Sequence, residues 1–384
     1  MSKFLSVIRK VSSKSYSRCI LSSLQLDTSV HGQNSFVFMN SNSFVPRRNC
    51  SMKGKKYIYA HKFEGMPKLS DLQLVEEEIP AIKDGEVLVQ VQSLSIDPYM
   101  RPYTPLLCKV GDDMINYYVA GKVIDSKEKT LPIGTKVSGA MGCRTYAVMS
   151  GRKLTNLDFL DDLPTSYATG AAGLAGLTAY FGVLNILTPK KGQTLYVNSA
   201  AGAVGAVVGQ IAKIKGCRVV GSAGSDEKVA YCKSLGFDEV FNYKKVTSIK
   251  DALKTTCPNG IDMFFENVGG PAFSKVIFQM NTNGRVAVCG AIATYNQKKP
   301  EMIEDVLWPL VGNRIKVQGF NVMQFTRDYP AARKQLVQWI KEGKIIVKEH
   351  ITYGFENFPK AFVELFTGDN FGKSVVVVGD SSKL

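Results

Sequence analysis

The chain has 384 residues, is 45% hydrophobic and contains 34 glycines, which suits a two-domain α/β protein with many turns. Its formal charge of +15 is uneven, because residues 1–51 hold seven Lys/Arg against the single acid Asp27. No run approaches the roughly 18 apolar residues of a membrane span, the eight cysteines are scattered without a C-x-x-C pair beside only three histidines, and no basic patch is interleaved with aromatics, so stable membrane insertion, a structural zinc site and nucleic-acid binding are all disfavoured.

Residues 1–51 are rich in serine and almost free of acids, and Phe4, Leu5, Ile8 and Val11 fall on one helical stripe beside Lys3, Arg9, Lys10 and Arg18. That is the profile of a mitochondrial targeting segment; a disordered extension, or a start at Met52, fits the same letters. From Tyr57 to about Ala147, segments such as "GEVLVQVQSLSID", "VAGKVIDS" and "RTYAVM" are short β runs broken by Gly, Pro and Asp turns, with little helical periodicity, and a small, mostly β domain is expected. "SYATGAAGLAGLTAYFGVLNIL", from Ser166, reads as one helical run. After Lys191 strands and helices alternate to about Val317, the pattern of a parallel sheet. Strands are expected at 194–198, 216–220, 238–241, 261–266 and 284–289. "PAARKQLVQWIKEGKI" is an amphipathic helix, and "FPKAFVELFTGDNFGKSVVVV" reads as helix, turn and a final strand that folds back onto the first domain. Ser382-Lys383-Leu384 spells the peroxisomal address.

Within the alternating region, "TLYVNSAAGAVGAVVGQIAKIKG" is strand, small-residue turn and helix. Its spacing Ala200-x-Gly202-x-x-Gly205 is the dinucleotide fingerprint with alanine at the first glycine place. Gly202 would let the backbone approach a pyrophosphate, Gly205 would let helix pack on strand, and the free N–H groups of the helix, opening after Ala203 and Val204, would face the anion. About twenty residues past Gly202, where an NAD enzyme places an acid on the ribose, stands Gly221-Ser222-Ala223. The missing carboxylate and the cation Lys228 in "GSDEK" point to NADPH. Ser225 with Asp226 and Glu227 would also make an ordinary helix start there.

The motifs "DPYMR" (97–101), "GLTAYFG" (176–182), "AAGAVGAVVGQIAKIKGCRVVG", "GSDEKVAYCKSLGF", "FNY", "FENVGG", "CGAIATYN" and "GDNFGK" together resemble the zinc-independent medium-chain reductases of the prostaglandin reductase, leukotriene dehydrogenase and alkenal reductase type. The resemblance runs from about Lys56 to Val378. It implies a Rossmann doubly wound parallel sheet at 176–324 and a GroES-like β-barrel catalytic domain made from 55–175 and 325–384, with 1–51 outside both, and usually a homodimer. It implies that Gly202 to Gly205 hold the pyrophosphate and that Lys228 and Tyr243 contact the 2′-phosphate. Asn267, the backbone of Cys289, Gly290, Ala291, Ile292, Ala293, Thr294 and Tyr295, then Phe320, Asn321 and Val322, and finally Asn370, would line the nicotinamide end and the rest of the groove. Phe320-Asn321-Val322 departs there from a more apolar family pattern.

Zinc-dependent relatives carry a Cys/His/carboxylate set after the early strand, whereas this one ends "SIDPYM" with neither Cys nor His nearby. The implied reaction is the NADPH-dependent reduction of a carbon–carbon double bond conjugated to a carbonyl, the hydride going to the β carbon of a 2-alkenal or enone, such as a 15-oxo-prostaglandin. Tyr295 is implied as the residue that stabilises the enolate; Tyr99 and Arg101 are read as structural. The alternatives are a quinone reductase and a cofactor-binding relative without turnover. The expected location is the peroxisome, with the mitochondrial matrix or the cytoplasm as alternatives.

Overall fold

In the computed structural model the described residues are 52–299 and 301–379, so both targeting readings, on 1–51 and on Ser382 to Leu384, lie outside them. The chain enters through β1 (Lys53–Tyr59), which pairs antiparallel with β2 (Leu72–Glu78). There follow β3 (Glu86–Ser95), a helix α1 (Met100–Leu107), β4 (Val119–Ser126), β5 (Lys136–Gly139), β6 (Tyr146–Ser150) and β7 (Thr155–Asn156). Along β3, Val89, Val91 and Ser93 are buried while Gln90 and Gln92 are exposed, the period-two pattern of a sheet with one face on a core.

After α2 (Leu174–Phe181) the alternation sets in: β8 (Thr194–Val197), α3 (Gly205–Ile214), β9 (Arg218–Ala223), α4 (Asp226–Ser234), β10 (Glu239–Asn242), α5 (Ile249–Thr256), β11 (Ile261–Glu266), α6 (Pro271–Ile277), β12 (Met280–Val288), α7 (Leu307–Gly312) and β13 (Lys316–Gly319). These six strands form one parallel sheet in the order β10-β9-β8-β11-β12-β13. That is the doubly wound order, and its direction reverses between β8 and β11. All four residues of β8 are buried, as a central parallel strand with helices on both faces requires.

The chain closes with α8 (Tyr329–Lys341), β14 (Glu349–Tyr353), α9 (Phe358–Thr367) and β15 (Lys373–Val377). β15 lies antiparallel to β3, with Val376 opposite Leu94, so the last strand does return to the first sheet, whose order is β14-β15-β3-β4-β5-β7 with β6 also beside β3. Its end is fastened inside the fold: Lys373 Nζ, almost fully buried, donates to Asp97 Oδ1 at 3.1 Å and to the carbonyls of Ile96 and Ser374.

Three expectations are corrected. A helix, α1, follows "SIDP" despite Pro102 and Pro105; a proline in the first turn removes no helical bond, and only Pro105 sits inside. The run from Ser166 is not one helix but a 3-10 turn (Thr165–Ala168), then α2, then a π turn (Gly182–Leu187). A side chain at Gly173 would lie 1.9 Å from the Ala168 carbonyl, a packing demand that overrides helical continuity. Finally, β9 extends to Ala223, so Gly221-Ser222-Ala223 lies inside the strand rather than ending a strand at 220.

Candidate functional site

The glycine turn leaves β8 through Asn198 and Ser199, whose φ of 50° places a non-glycine residue in the left-handed region. Gly205 sits where a β carbon would come within 2.3 Å of the Ser199 carbonyl, so it is the residue that seats α3 on the strand. A β carbon at Gly202 would meet only Ser199, at 3.1 Å, and its other side is open. That is a cradle for a ligand backed by the N-terminus of α3. Ala200 is fully buried. Its methyl fills the place in front of Gly221, where an added carbon would lie 2.7 Å away. Alanine at the first fingerprint position and glycine at 221 are thus one packing solution.

The carboxyl-terminal strap 368–372 crosses this turn. Gly202 bridges Gly372, and the Gly372 N–H donates to the Ala201 carbonyl at 3.3 Å. Asn370 Nδ2 donates to the Gly372 carbonyl at 3.3 Å, and Phe371 packs on Tyr231 with centroids 5.0 Å apart.

At the end of β9, Ser222 is turned into the sheet, its hydroxyl 2.8 Å from that of Tyr196. Ser225 caps α4 by accepting from the Lys228 N–H. Asp226 is engaged by Lys245 and by Asn242 Nδ2, so its charge is answered on the far side. Lys228 Nζ donates to the Gly368 carbonyl at 2.7 Å, which ties the strap to α4. Burial first, and the neighbouring Lys244 second, lower the Lys228 pKa below the usual lysine value. Tyr243 lies against Gly224, whose lack of a side chain makes room for the phenol. Lys228, Tyr243 and Lys244 therefore form one cationic corner. Lys244 was not anticipated, although the doublet "KK" after "FNY" is its trace.

The switch point between β8 and β11 carries a polar knot. The Asn267 N–H donates to Asn198 Oδ1 at 2.8 Å, and Asn267 Nδ2 donates to the Asn198 carbonyl at 3.0 Å. The buried Glu266 carboxylate accepts from Asn198 Nδ2 at 2.7 Å, from the Gly269 N–H at 2.9 Å and from the Val268 N–H. Burial raises its pKa. Glu266, also unforeseen, stands beside Asn267 in "FENVGG" and organises the turn on which Asn267 sits.

Gly269 and Gly270, with φ of 72° and 67°, let that turn pass beneath the next loop. The N–H groups of Cys289 and Gly290 donate to the Glu266 carbonyl, that of Ile292 to Asn267 and that of Ala293 to Val268, so the segment 289–293 is pinned along its length. The half-buried Cys289 thiol is pushed up to about 12 by burial and by Glu266, and stays protonated. Thr294 bonds back to Ala291. Tyr295 closes the loop: its hydroxyl oxygen accepts the Ala291 N–H at 3.1 Å, which leaves the hydroxyl hydrogen available to a ligand, and burial raises its pKa.

Of the last expected group, Phe320 turns its ring onto Phe265, 6.0 Å between centroids, and Val322 is buried in the same core. Both side chains serve the core rather than the groove. Asn321 differs: its Oδ1 accepts the Met323 N–H at 2.9 Å and so caps the 3-10 turn that begins at Val322.

The chain matches the family model described as a zinc-binding dehydrogenase over 203–342 and that of the N-terminal domain of oxidoreductase over 55–157. It is 45% identical to prostaglandin reductase 1 of Rattus norvegicus, over 85% of this chain and 99% of the relative. It is 40% identical to 2-alkenal reductase (NADP(+)-dependent) of Nicotiana tabacum, over 85% and 98%. The crystal structure of CurA from Vibrio vulnificus in complex with NADPH is similar at a TM-score of 0.79 and 36% identity, covering 85% of this chain and 99% of that one. The zinc in the first family description finds no fit: Asp97, after the early strand, is committed to Lys373 and to the Ser95 hydroxyl, and among the described residues no three His, Cys, Asp or Glu side chains converge.

Proposed function

The chain belongs to the medium-chain reductase family that holds the prostaglandin and 2-alkenal reductases, and on that footing we propose how its residues carry out the reaction. It is an NADPH-dependent oxidoreductase acting on the carbon–carbon double bond of α,β-unsaturated aldehydes and ketones. The bound coenzyme supplies the hydride. The Gly202 cradle and the start of α3 hold the pyrophosphate, and the corner of Lys228, Tyr243 and Lys244 holds the 2′-phosphate; two like charges crowded together, one of them with a lowered pKa, favour an anion between them. Asn267, Asn370 and the pinned backbone 289–295 shape the groove.

What this protein adds at the reacting end is a hydrogen bond to the carbonyl oxygen as negative charge develops there. The observation that carries this is Tyr295, whose oxygen is already held by a backbone N–H and whose proton is left to give. Burial keeps that proton on at neutral pH.

The exposed side chains Leu307, Trp308 and Val311 of α7, from 67% to 79% exposed, stand beside the open edge of β13, where Val317 is also exposed. An apolar patch next to an unpaired parallel edge supports a homodimer. Trp308→Glu should shift the mass by light scattering from dimer to monomer. The tripeptide Ser382 to Leu384 supports a peroxisomal address, to be tested by deleting it from a fluorescent fusion. No nucleic-acid partner is proposed.

The deciding assay is coenzyme oxidation with 2-alkenals, a 15-oxo-prostaglandin and quinones. NADPH consumption with the enones, and preference over NADH, is expected; consumption with quinones alone would replace this reading by a quinone reductase.

A further inference from the structure

We propose that Glu266 is a positioning residue for the reduction: through two peptide groups of the turn 267–269 it sets the place of Tyr295. The inference rests on the reaction and the Tyr295 role proposed above, and adds to them a residue that acts only through its neighbours.

Glu266 ends β11 and is 1% exposed. Its Oε1 is the meeting point of three N–H donors: Asn198 Nδ2 at 2.7 Å, the Gly269 N–H at 2.9 Å and the Val268 N–H. In a trans peptide the N–H and the C=O point in opposite directions. Drawing the Val268 N–H inward therefore turns the Asn267 carbonyl outward, and drawing the Gly269 N–H inward does the same to the Val268 carbonyl. Those are the two carbonyls that accept the N–H groups of Ile292, at 3.2 Å, and Ala293, at 3.0 Å. Ile292 and Ala293 begin the 3-10 turn Ile292–Thr294, and the Tyr295 N–H closes it on the Ile292 carbonyl at 3.4 Å. One buried oxygen thus orients the peptides on which the loop of the phenol is hung.

Close contacts leave that loop little slack. A β carbon at Gly269 would lie 2.9 Å from the Ala291 methyl, and the Ala291 N–H is the group that holds the Tyr295 hydroxyl. A β carbon at Gly290 would lie 3.1 Å from that hydroxyl itself. A shift of the turn 267–269 is therefore passed on to the phenol.

The place also calls for an acid rather than its amide. Glu266 Oε2 is buried with no hydrogen-bond partner among the described residues. Burying a carboxyl group with one oxygen unsatisfied costs stability, which a turn that served the fold alone has no reason to bear. Glutamine would keep one accepting oxygen, neutral and weaker, and would put an NH2 group where nothing accepts it.

The test is a double-mutant cycle of Glu266→Gln and Tyr295→Phe. It is read as the single-turnover rate of NADPH oxidation by a 2-alkenal at saturating coenzyme, beside NADPH affinity by fluorescence titration. A residue that acts by placing Tyr295 loses its effect once the hydroxyl is gone. Glu266→Gln should lower the rate about tenfold in the parent, the scale of a small misplacement of a reacting group, and by less than about twofold in the Tyr295→Phe background. Gly269→Ala leaves the acid in place and presses on Ala291, and it should give the same pattern, which keeps the proposal testable if Glu266→Gln does not fold. An equal loss in both backgrounds, a parent rate lowered by less than about twofold, or a loss of NADPH affinity with the saturated rate unchanged would each overturn the proposal. If the unmodified protein does not reduce the alkenal, or Tyr295→Phe alone leaves the rate as it was, the proposed function or its Tyr295 role fails and this inference with it. An active parent that needs Tyr295 but shows no coupling in the cycle removes this inference alone.

Discussion

Replacing Lys228 by alanine separates the role proposed for this side chain from the one the structure shows. The proposed role is to bring charge to the 2′-phosphate; the observed one is to anchor the strap by donating to the Gly368 carbonyl at 2.7 Å. A charge-assisted hydrogen bond to phosphate is worth roughly 1.5–3 kcal/mol. The corner is only half-buried and Lys244 remains to share the load, so the low end applies, about 1.5 kcal/mol. At about 1.4 kcal/mol per tenfold, KM for NADPH should rise about tenfold. Loss of the strap anchor touches both coenzymes alike, and KM for NADH should rise by no more than about threefold, the scale of one ordinary hydrogen bond. The informative quantity is the ratio of kcat/KM for NADPH to that for NADH, which should fall several-fold in Lys228→Ala and further when Lys244→Ala is added. If both coenzymes weaken equally, Lys228 holds the strap and nothing else, and the coenzyme argument built on the missing carboxylate fails.

Tyr295→Phe should lower kcat about a hundredfold, within the range for losing an oxyanion donor, while NADPH affinity by fluorescence titration stays as it was; unchanged turnover would remove the residue from the chemistry. Because burial raises the Tyr295 pKa above its ordinary 10.0, the protonated form that donates is fully present below that pH and is lost only as pH climbs through the raised value. A rate profile flat from pH 6 to 9 for this group follows, and a limb near neutrality that disappears in Tyr295→Phe would contradict it. Gly221→Ala places a carbon 2.7 Å from the Ala200 methyl and should cost about 1–3 kcal/mol by denaturant unfolding, with Ala200→Gly restoring part of the loss. No recovery in the double variant would show that the two positions do not share one space. Lys373→Met leaves Asp97 charged and buried and should cost about 3–5 kcal/mol, measured the same way.

The order of elements after Lys191 was legible in the sequence because parallel strands are buried on both faces and read as apolar runs, while the helices between them carry their own caps and periodicity. The strand 261–266 falls at its expected bounds, and the fingerprint lies at its expected strand-to-helix turn. Gly205 and Gly202 could be read from spacing alone, since only the smallest residue meets both demands. The absent carboxylate was legible too, for charge is written in the letters. What the sequence left open were contacts between residues far apart in the chain. Nothing local marks α1 in a stretch with two prolines, or shows that Gly221 is glycine on account of Ala200. Lys228 meets residue 368, and Lys373 meets residue 97. The coenzyme was legible at 221–228, because an acid there would repel a 2′-phosphate and a cation would attract it. That the Tyr295 hydroxyl keeps its hydrogen to give was decided by packing, since an O–H is free to donate only after the fold has settled which N–H groups its oxygen accepts.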